Sequence, residues 1–273
     1  MKIGMFTSGY QRSPIEDIFK DARQFGYDYI ELWGGRPHAY PYDLMRGQVS
    51  ELLRLRDKYQ LPIRVYTPEH NAYPYNYMIG DEYQRKESVE YLKTALELGK
   101  ALGADYTVVS AGHAGYGASK CDILSRLHRS IRDLAEHADF LQHTLLIEAL
   151  TTLESNVCTS ADDLVELVNY IDSQFFGAMC DVVPPFIQDE SIMGYFEKLG
   201  SKLKHLHIVD SDGVSDTHLL PGDGKIPLKE LMKDIADTGY NGGATIELVT
   251  AYISEPSYYS RLAIERLKNI IER

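Results

Sequence analysis

A repeating order constrains this fold more than any other feature. Eight short runs rich in apolar and β-branched residues occur at 2–7, 28–33, 62–67, 105–110, 144–148, 177–181, 204–210 and 243–247, and a segment of helical periodicity follows each. Such alternation implies parallel strands joined by crossover helices, because parallel neighbours cannot be linked by a tight turn. No linker or shift in composition divides the repeats. The length, 273 residues, is close to the roughly 250 that eight such units occupy when the sheet closes on itself. We therefore expect the α/β class and one (β/α)8 barrel, the TIM-barrel arrangement, filling residues 1–273 as a single domain rather than an open doubly wound sheet.

Local punctuation fits this order. Ser13 and Pro14 read as N-cap and first residue of a helix that Gly26 ends, and Ser160 reads as the cap of another ahead of Asp162 and Asp163. Pro184-Pro185 reads as a break, and Gly239 as the stop of the helix at 228–238. The longest irregular piece, 68–80, is tyrosine-rich and carries Glu69, His70 and Asn71; loops of this length are commonly functional or lid-like.

With 28 basic against 40 acidic residues the formal charge is −12, which repels nucleic acid and anionic lipid and favours a neutral or cationic small molecule. Cys121, Cys158 and Cys180 have no CxxC spacing, so neither a disulfide framework nor a thiolate zinc site is expected, and a reducing cytoplasm is the expected location. No signal-like core or membrane-length apolar run occurs, so no membrane partner is expected. Apolar helix faces lead us to expect a homo-oligomer.

In a barrel of this kind chemistry sits at the C-terminal strand ends. Four strands end in polar, metal-competent side chains: Glu148, Asp181, His207 and Glu247. Buried charges are costly unless paired or metal-bound, so we expect these four to converge on one divalent cation; the mixed oxygen and nitrogen set suits Mn2+ or Mg2+, and also Co2+, Ni2+ or Zn2+. Alternation puts His205 on the same inward face one layer deeper, as a hydrogen-bonded interior histidine, and turns Cys180 outward as a packing residue. Glu69 and His113 lie just past strands three and four, as substrate contacts or loop anchors; Trp33 and Phe6 could wall a sugar or belong to the core and rim. Gly222-Asp223-Gly224-Lys225 has the look of a phosphate loop, weakened by its aspartate, and His128, His137 and His143 are expected on a solvated helix face.

The local wording then carries a resemblance. Trp33-Gly34-Gly35-Arg36-Pro37-His38, Tyr66-Thr67-Pro68-Glu69, Ala111-Gly112-His113-Ala114-Gly115-Tyr116 and His205-Leu206-His207-Ile208-Val209-Asp210-Ser211-Asp212-Gly213 resemble the xylose-isomerase-like sugar isomerases and epimerases, along essentially the whole chain. Within that group the wording is similar to the fructoselysine 3-epimerases. The resemblance implies that Glu148, Asp181, His207 and Glu247 are the ligands of a ketose 3-epimerase, that Glu148 and Glu247 are its acid/base pair, and that Glu154 supports the site or contacts substrate. Free-ketohexose epimerases carry a histidine three residues after the aspartate ligand and an arginine six after the histidine; here Pro184 and Gly213 stand there. That departure favours a ketose with a different tail, and for a lysine tail Glu69, Asp212 and Asp216 are the loop candidates. The implied reaction interconverts fructoselysine and psicoselysine by proton removal and redelivery at C3, with Lewis-acid stabilisation from the metal. The alternatives are an epimerase or aldose–ketose isomerase for another free or phosphorylated sugar, a metal-dependent phosphoesterase for damaged DNA on the same barrel, and a noncatalytic sugar-binding protein.

Overall fold

Alternation along each strand decides which residues fill the barrel. The computed structural model describes residues 1–71 and 75–272. Its eight strands are β1 Lys2–Phe6, β2 Tyr29–Gly34, β3 Ile63–Pro68, β4 Tyr106–Ser110, β5 Thr144–Glu148, β6 Phe176–Asp181, β7 Leu203–His207 and β8 Gly243–Ile246. All pair in parallel and close in sequence order, with Lys2 opposite Gly243 and Gly4 opposite Thr245 where β1 meets β8. The helices between them are α1 Ile15–Phe25, α2 Val49–Tyr59, α3 Glu82–Ala101, α4 Lys120–Leu141, α5 Ala161–Ile171, α6 Ile192–Leu199, α7 Leu228–Asp237 and α8 Pro256–Glu272. This is the barrel expected from the alternation.

Tyr29, Val65, Val108, Leu146 and Met179 pack together inside the ring. Residues on the opposite strand faces, among them Ile30, Leu145, Cys180 and Leu206, pack with the helices. Cys180 is thus buried on the outer side, as alternation requires. Gly4 has a packing reason: a Cβ there would run into the Tyr29 ring, whose hydroxyl lies 3.0 Å from Thr245 Oγ1.

Three expectations are corrected. Ser13 does not cap α1: the extended Pro14, at φ −56° and ψ 141°, is itself the boundary, so the helix starts at Ile15 and Ser13 is one residue too early, in the turn where its N–H donates to Tyr10 O. Pro184 and Pro185 do not break the chain but sit in a short helix, Val183–Ile187, where proline is tolerated because first-turn N–H groups need no intrahelical partner. His143 is not solvated. It follows the left-handed C-cap Gln142 of α4, leads into β5, and is buried with Nε2 2.9 Å from Thr107 Oγ1. The expected caps at Gly26 and Ser160 are present. Of the long piece at 68–80, residues Ala72, Tyr73 and Pro74 lie outside the described residues, as does Arg273 at the end of the last helix. Its described part is tied down: Tyr75 stacks on Tyr91 at 3.9 Å and the Tyr77 hydroxyl donates to Ser110 O. No described helix is long and apolar enough to cross a membrane.

Candidate functional site

β5, β6 and β7 are adjacent, Asp181 pairs with His207, and Glu148 pairs with Met179 two residues short of Asp181, so the three strand ends bring Glu148, Asp181 and His207 to the barrel mouth, and Glu247 joins them just past β8. Glu148, Asp181 and His207 each offer a ligand atom within 4.8 Å of the others, and so do Asp181, His218 and Glu247. His207 Nδ1 lies 2.6 Å from Glu247 Oε2 and 3.8 Å from Glu148 Oε1. The four expected residues are therefore together, and His218, from the loop after β7, is a fifth.

Below them Glu31, wholly buried on β2, accepts from two imidazoles: Oε2 lies 2.7 Å from His205 Nε2 and Oε1 lies 2.9 Å from His207 Nε2. Thr67 Oγ1 donates to Oε1 at 2.8 Å. His205 is thus the hydrogen-bonded interior histidine expected of it. Burial would raise the Glu31 pKa, but His207 and His205 outweigh it and hold the carboxyl well below its usual range. Burial opposes charge on His207 as well, yet Glu31 and Glu247 push its pKa up. Glu148 goes the other way: burial, with Asp181 and Glu247 nearby, pushes its carboxyl well up although His207 pulls against this.

The residues fit a divalent cation on one decisive point. His207 Nε2 is tied to a carboxylate, while the buried Nδ1, facing the Glu148 and Glu247 carboxyls, has no aligned hydrogen-bond partner. That is the orientation of a metal-binding histidine backed by a second carboxylate.

Around this centre lies a cavity of about 430 Å³. Of the sequence candidates, Trp33, Glu69 and Glu154 line it, and so does Phe6, whose ring is 5.5 Å from that of His207. Trp33 Nε1 donates to Glu69 Oε2 at 2.6 Å. His113 is not brought to the cavity: its Nδ1 accepts from Gly115 N–H at 2.9 Å and its carbonyl from Asn76 Nδ2 at 3.0 Å, which makes it a loop anchor. Asp212 is absent from the lining as well, whereas Asp216 belongs to it. Burial and the neighbouring Asp216 push Glu154 up to about 7. The 222–225 turn does not offer its amides to a phosphate, because Gly222 and Ile226 N–H donate to Asp210 and Lys225 N–H to Ser211 O.

A model of the xylose isomerase-like TIM barrel family matches residues 19–270. The chain belongs to this family. Among its relatives is the fructoselysine 3-epimerase of Shigella flexneri, 49% identical over 271 residues, which cover 99% of this chain and 98% of that protein. On that relationship the chain is an isomerase of the epimerase type. Two solved structures repeat the fold: a D-psicose 3-epimerase from Clostridium cellulolyticum H10 with D-tagatose, at TM-score 0.80 and 20% identity over 99% of both chains, and the IOLI protein with a zinc atom, at TM-score 0.81 and 19% identity over 99% of this chain and 96% of that one.

For this member of the xylose isomerase-like family, the sequence does not single out Glu31 or His218, and it marks His70 only as part of the long 68–80 loop. Glu31 did leave a signal, a lone carboxylate inside the apolar strand Tyr29–Gly34 on the parity that carries Trp33 to the cavity. His70 lines the cavity, its Nε2 accepting from Ser110 N–H at 3.2 Å and its pKa lowered by burial to about 4. His218 sits in an aperiodic loop, where nothing in the sequence marks its direction.

Proposed function

We propose that this epimerase is a divalent-metal-dependent ketose 3-epimerase and that its substrate is an amine-bearing ketose, fructoselysine, interconverted with psicoselysine. The observation that carries the reading is the charge of the cavity. Glu69, Glu148, Glu154, Asp181, Asp216 and Glu247 line it, and among the described residues no lysine or arginine does. A sugar phosphate would meet no lysine or arginine there, and the histidines of the lining that hold charge, His207 and His218, are already paired with carboxylates, whereas an ammonium group finds carboxylates beyond those needed for a metal. The 49% identity to a fructoselysine 3-epimerase supports the same substrate.

Glu148, Asp181, His207 and Glu247 would hold the cation, from the set Mn2+, Co2+, Mg2+, Ni2+ and Zn2+. When bound, it supplies Lewis-acid stabilisation of the negative charge that develops on the ketose oxygens. Glu148 and Glu247 reach the site from β5 and from just beyond β8, and flank His207. In the forward direction one carboxylate removes the C3 proton and the other, protonated, delivers one to the opposite face; the roles exchange in reverse. Phe6 and Trp33 offer the sugar an apolar wall, and the buried Asp181 and His207 cost the site no reordering when substrate enters.

The test is proton NMR in D2O with Mn2+-loaded enzyme and, separately, fructoselysine, fructose and fructose 6-phosphate. Deuterium at C3 with appearance of the C3 epimer, fastest for fructoselysine, is the expected result. Preference for the phosphate ester would overturn the substrate assignment, and exchange at C1 with aldose formation would overturn the reaction.

A further inference from the structure

Glu31 does not line the cavity, yet its side chain is fully buried and committed at both oxygens. Oε2 holds His205 Nε2, and Oε1 holds both His207 Nε2 and Thr67 Oγ1. Stability alone is a weak reason for such a group, because apolar side chains of similar volume commonly match or exceed a buried ionic cluster. Its geometry gives another reason. An imidazole has two nitrogens, and the bond made by one sets the state of the other. A carboxylate accepting at Nε2 keeps a proton there, so Nδ1, on the Glu148 and Glu247 side, is the nitrogen that would take a cation in place of a proton.

We propose that Glu31 is a positioning residue: it fixes the tautomer and ring orientation of His207 so that Nδ1 is presented to the cation. His205, one inward position earlier on β7, anchors the second oxygen and stops the carboxylate from rotating, and Thr67 steadies the first. His205 Nε2 in turn lies 3.2 Å from Thr245 Oγ1, so the clamp reaches from β2 through β7 to β8. The inference rests on the metal reading above, and its test separates the two.

Metal-free wild type and Glu31→Gln are titrated with Mn2+ by calorimetry, with Co2+ absorption as a second view of the ligand set and the thermal midpoint of each metal-free protein as a check of fold. A glutamine keeps the size but offers one acceptor oxygen, so it cannot accept from both histidines. Mn2+ affinity should fall about 10- to 100-fold, the usual effect of losing such a partner, and the Co2+ spectrum should change. Unchanged affinity and spectrum in folded Glu31→Gln, beside a wild type that binds, overturns the inference alone; a wild type that binds no divalent cation overturns the metal reading and this inference with it. Should Glu31→Gln not fold, His205→Leu decides the matter, since it leaves Glu31 and His207 in place and removes the donor to Oε2 together with the contact to Thr245: a several-fold loss of affinity supports the clamp, and none overturns it.

Discussion

His218 Nε2 lies 2.7 Å from Asp181 Oδ2, so a residue of the loop after β7 reaches to the tip of β6. The other Asp181 oxygen accepts the Val183 N–H at 2.8 Å, at the start of the short helix that Pro184 and Pro185 occupy. Asp181 is thereby held in one orientation by two partners that the fold itself supplies. Burial opposes charge on His218, but Asp181 and Glu247 hold its pKa up, to about 10. A ligand reaching this centre meets groups already in place, which lowers the ordering cost of binding.

Glu148→Gln and Glu247→Gln should each lower kcat for epimerisation by at least the roughly 10²- to 10⁴-fold typical of a lost general acid or base. Deuterium incorporation at C3, followed from each epimer in turn, checks this. Strong turnover by both variants would remove the two-base mechanism.

Asp216 is the member of the acidic lining best placed to select a cationic substrate. It stands beside Glu154 in the cavity, whereas Asp212 is spent on its own turn, accepting from Val214 N–H, Ser215 N–H and Ser215 Oγ. Asp216→Asn should lower kcat/KM for fructoselysine about 10- to 100-fold, the equivalent of one charged hydrogen bond, and change that for fructose little. Asp212→Asn should change neither ratio. Equal losses on both substrates for Asp216→Asn would show that the residue does not read the amine.

His143 makes stability pH-dependent on the acid side. Burial, with Lys100 nearby, lowers its pKa from the ordinary 6.5 to about 4 in the folded protein. Between those values the unfolded chain takes up a proton that the folded protein refuses, so stability falls as the pH drops below 6.5 and this loss is complete below 4. At pH 5 the loss is about 2 kcal/mol. Urea unfolding of metal-free wild type and His143→Gln at pH 7.5 and pH 5 measures it: the wild type should lose more stability between the two than the variant. Parallel losses would place the acid sensitivity elsewhere.

Gly4→Ala should destabilise the barrel floor, since its Cβ would run into the enclosed Tyr29 ring. Overpacking of this kind costs about 1–3 kcal/mol, and a thermal midpoint lower by several degrees is the expected reading. Tyr29→Phe alone should cost less, because it keeps the ring and gives up only the contact with Thr245. An unchanged midpoint for Gly4→Ala would mean that the ring can shift without cost.

The barrel was legible in the chain because each repeat states its own strand and helix, and a period-2 strand places its terminal polar residue on a known face. Glu148, Asp181 and His207 follow from that logic, as do the inward His205 and the outward Cys180. Glu31 obeys the same parity but lies mid-strand, where its partners are known only once β2 and β7 face one another across the ring. His218 was beyond reach for a different reason: an aperiodic loop has no face, and its direction is set by contact with Asp181. Proline is ambiguous at both other boundaries, in different ways: Pro14 starts a helix as read but stands at its N-cap instead of its first position, and Pro184-Pro185 lie within a helical first turn instead of breaking the chain.

The seam between β1 and β8 also sets a schedule. Lys2 finds its partner Gly243 only when the last strand has been made, and Glu247 stands four residues beyond that pairing. A chain that stops short of β8 therefore lacks both the closed ring and Glu247, so the mouth of the barrel is incomplete until that strand is in place. Because the pairing joins residues so distant in sequence, it closes the longest loop of any strand pair in the ring, and this seam is where a product truncated before β8 should stay open.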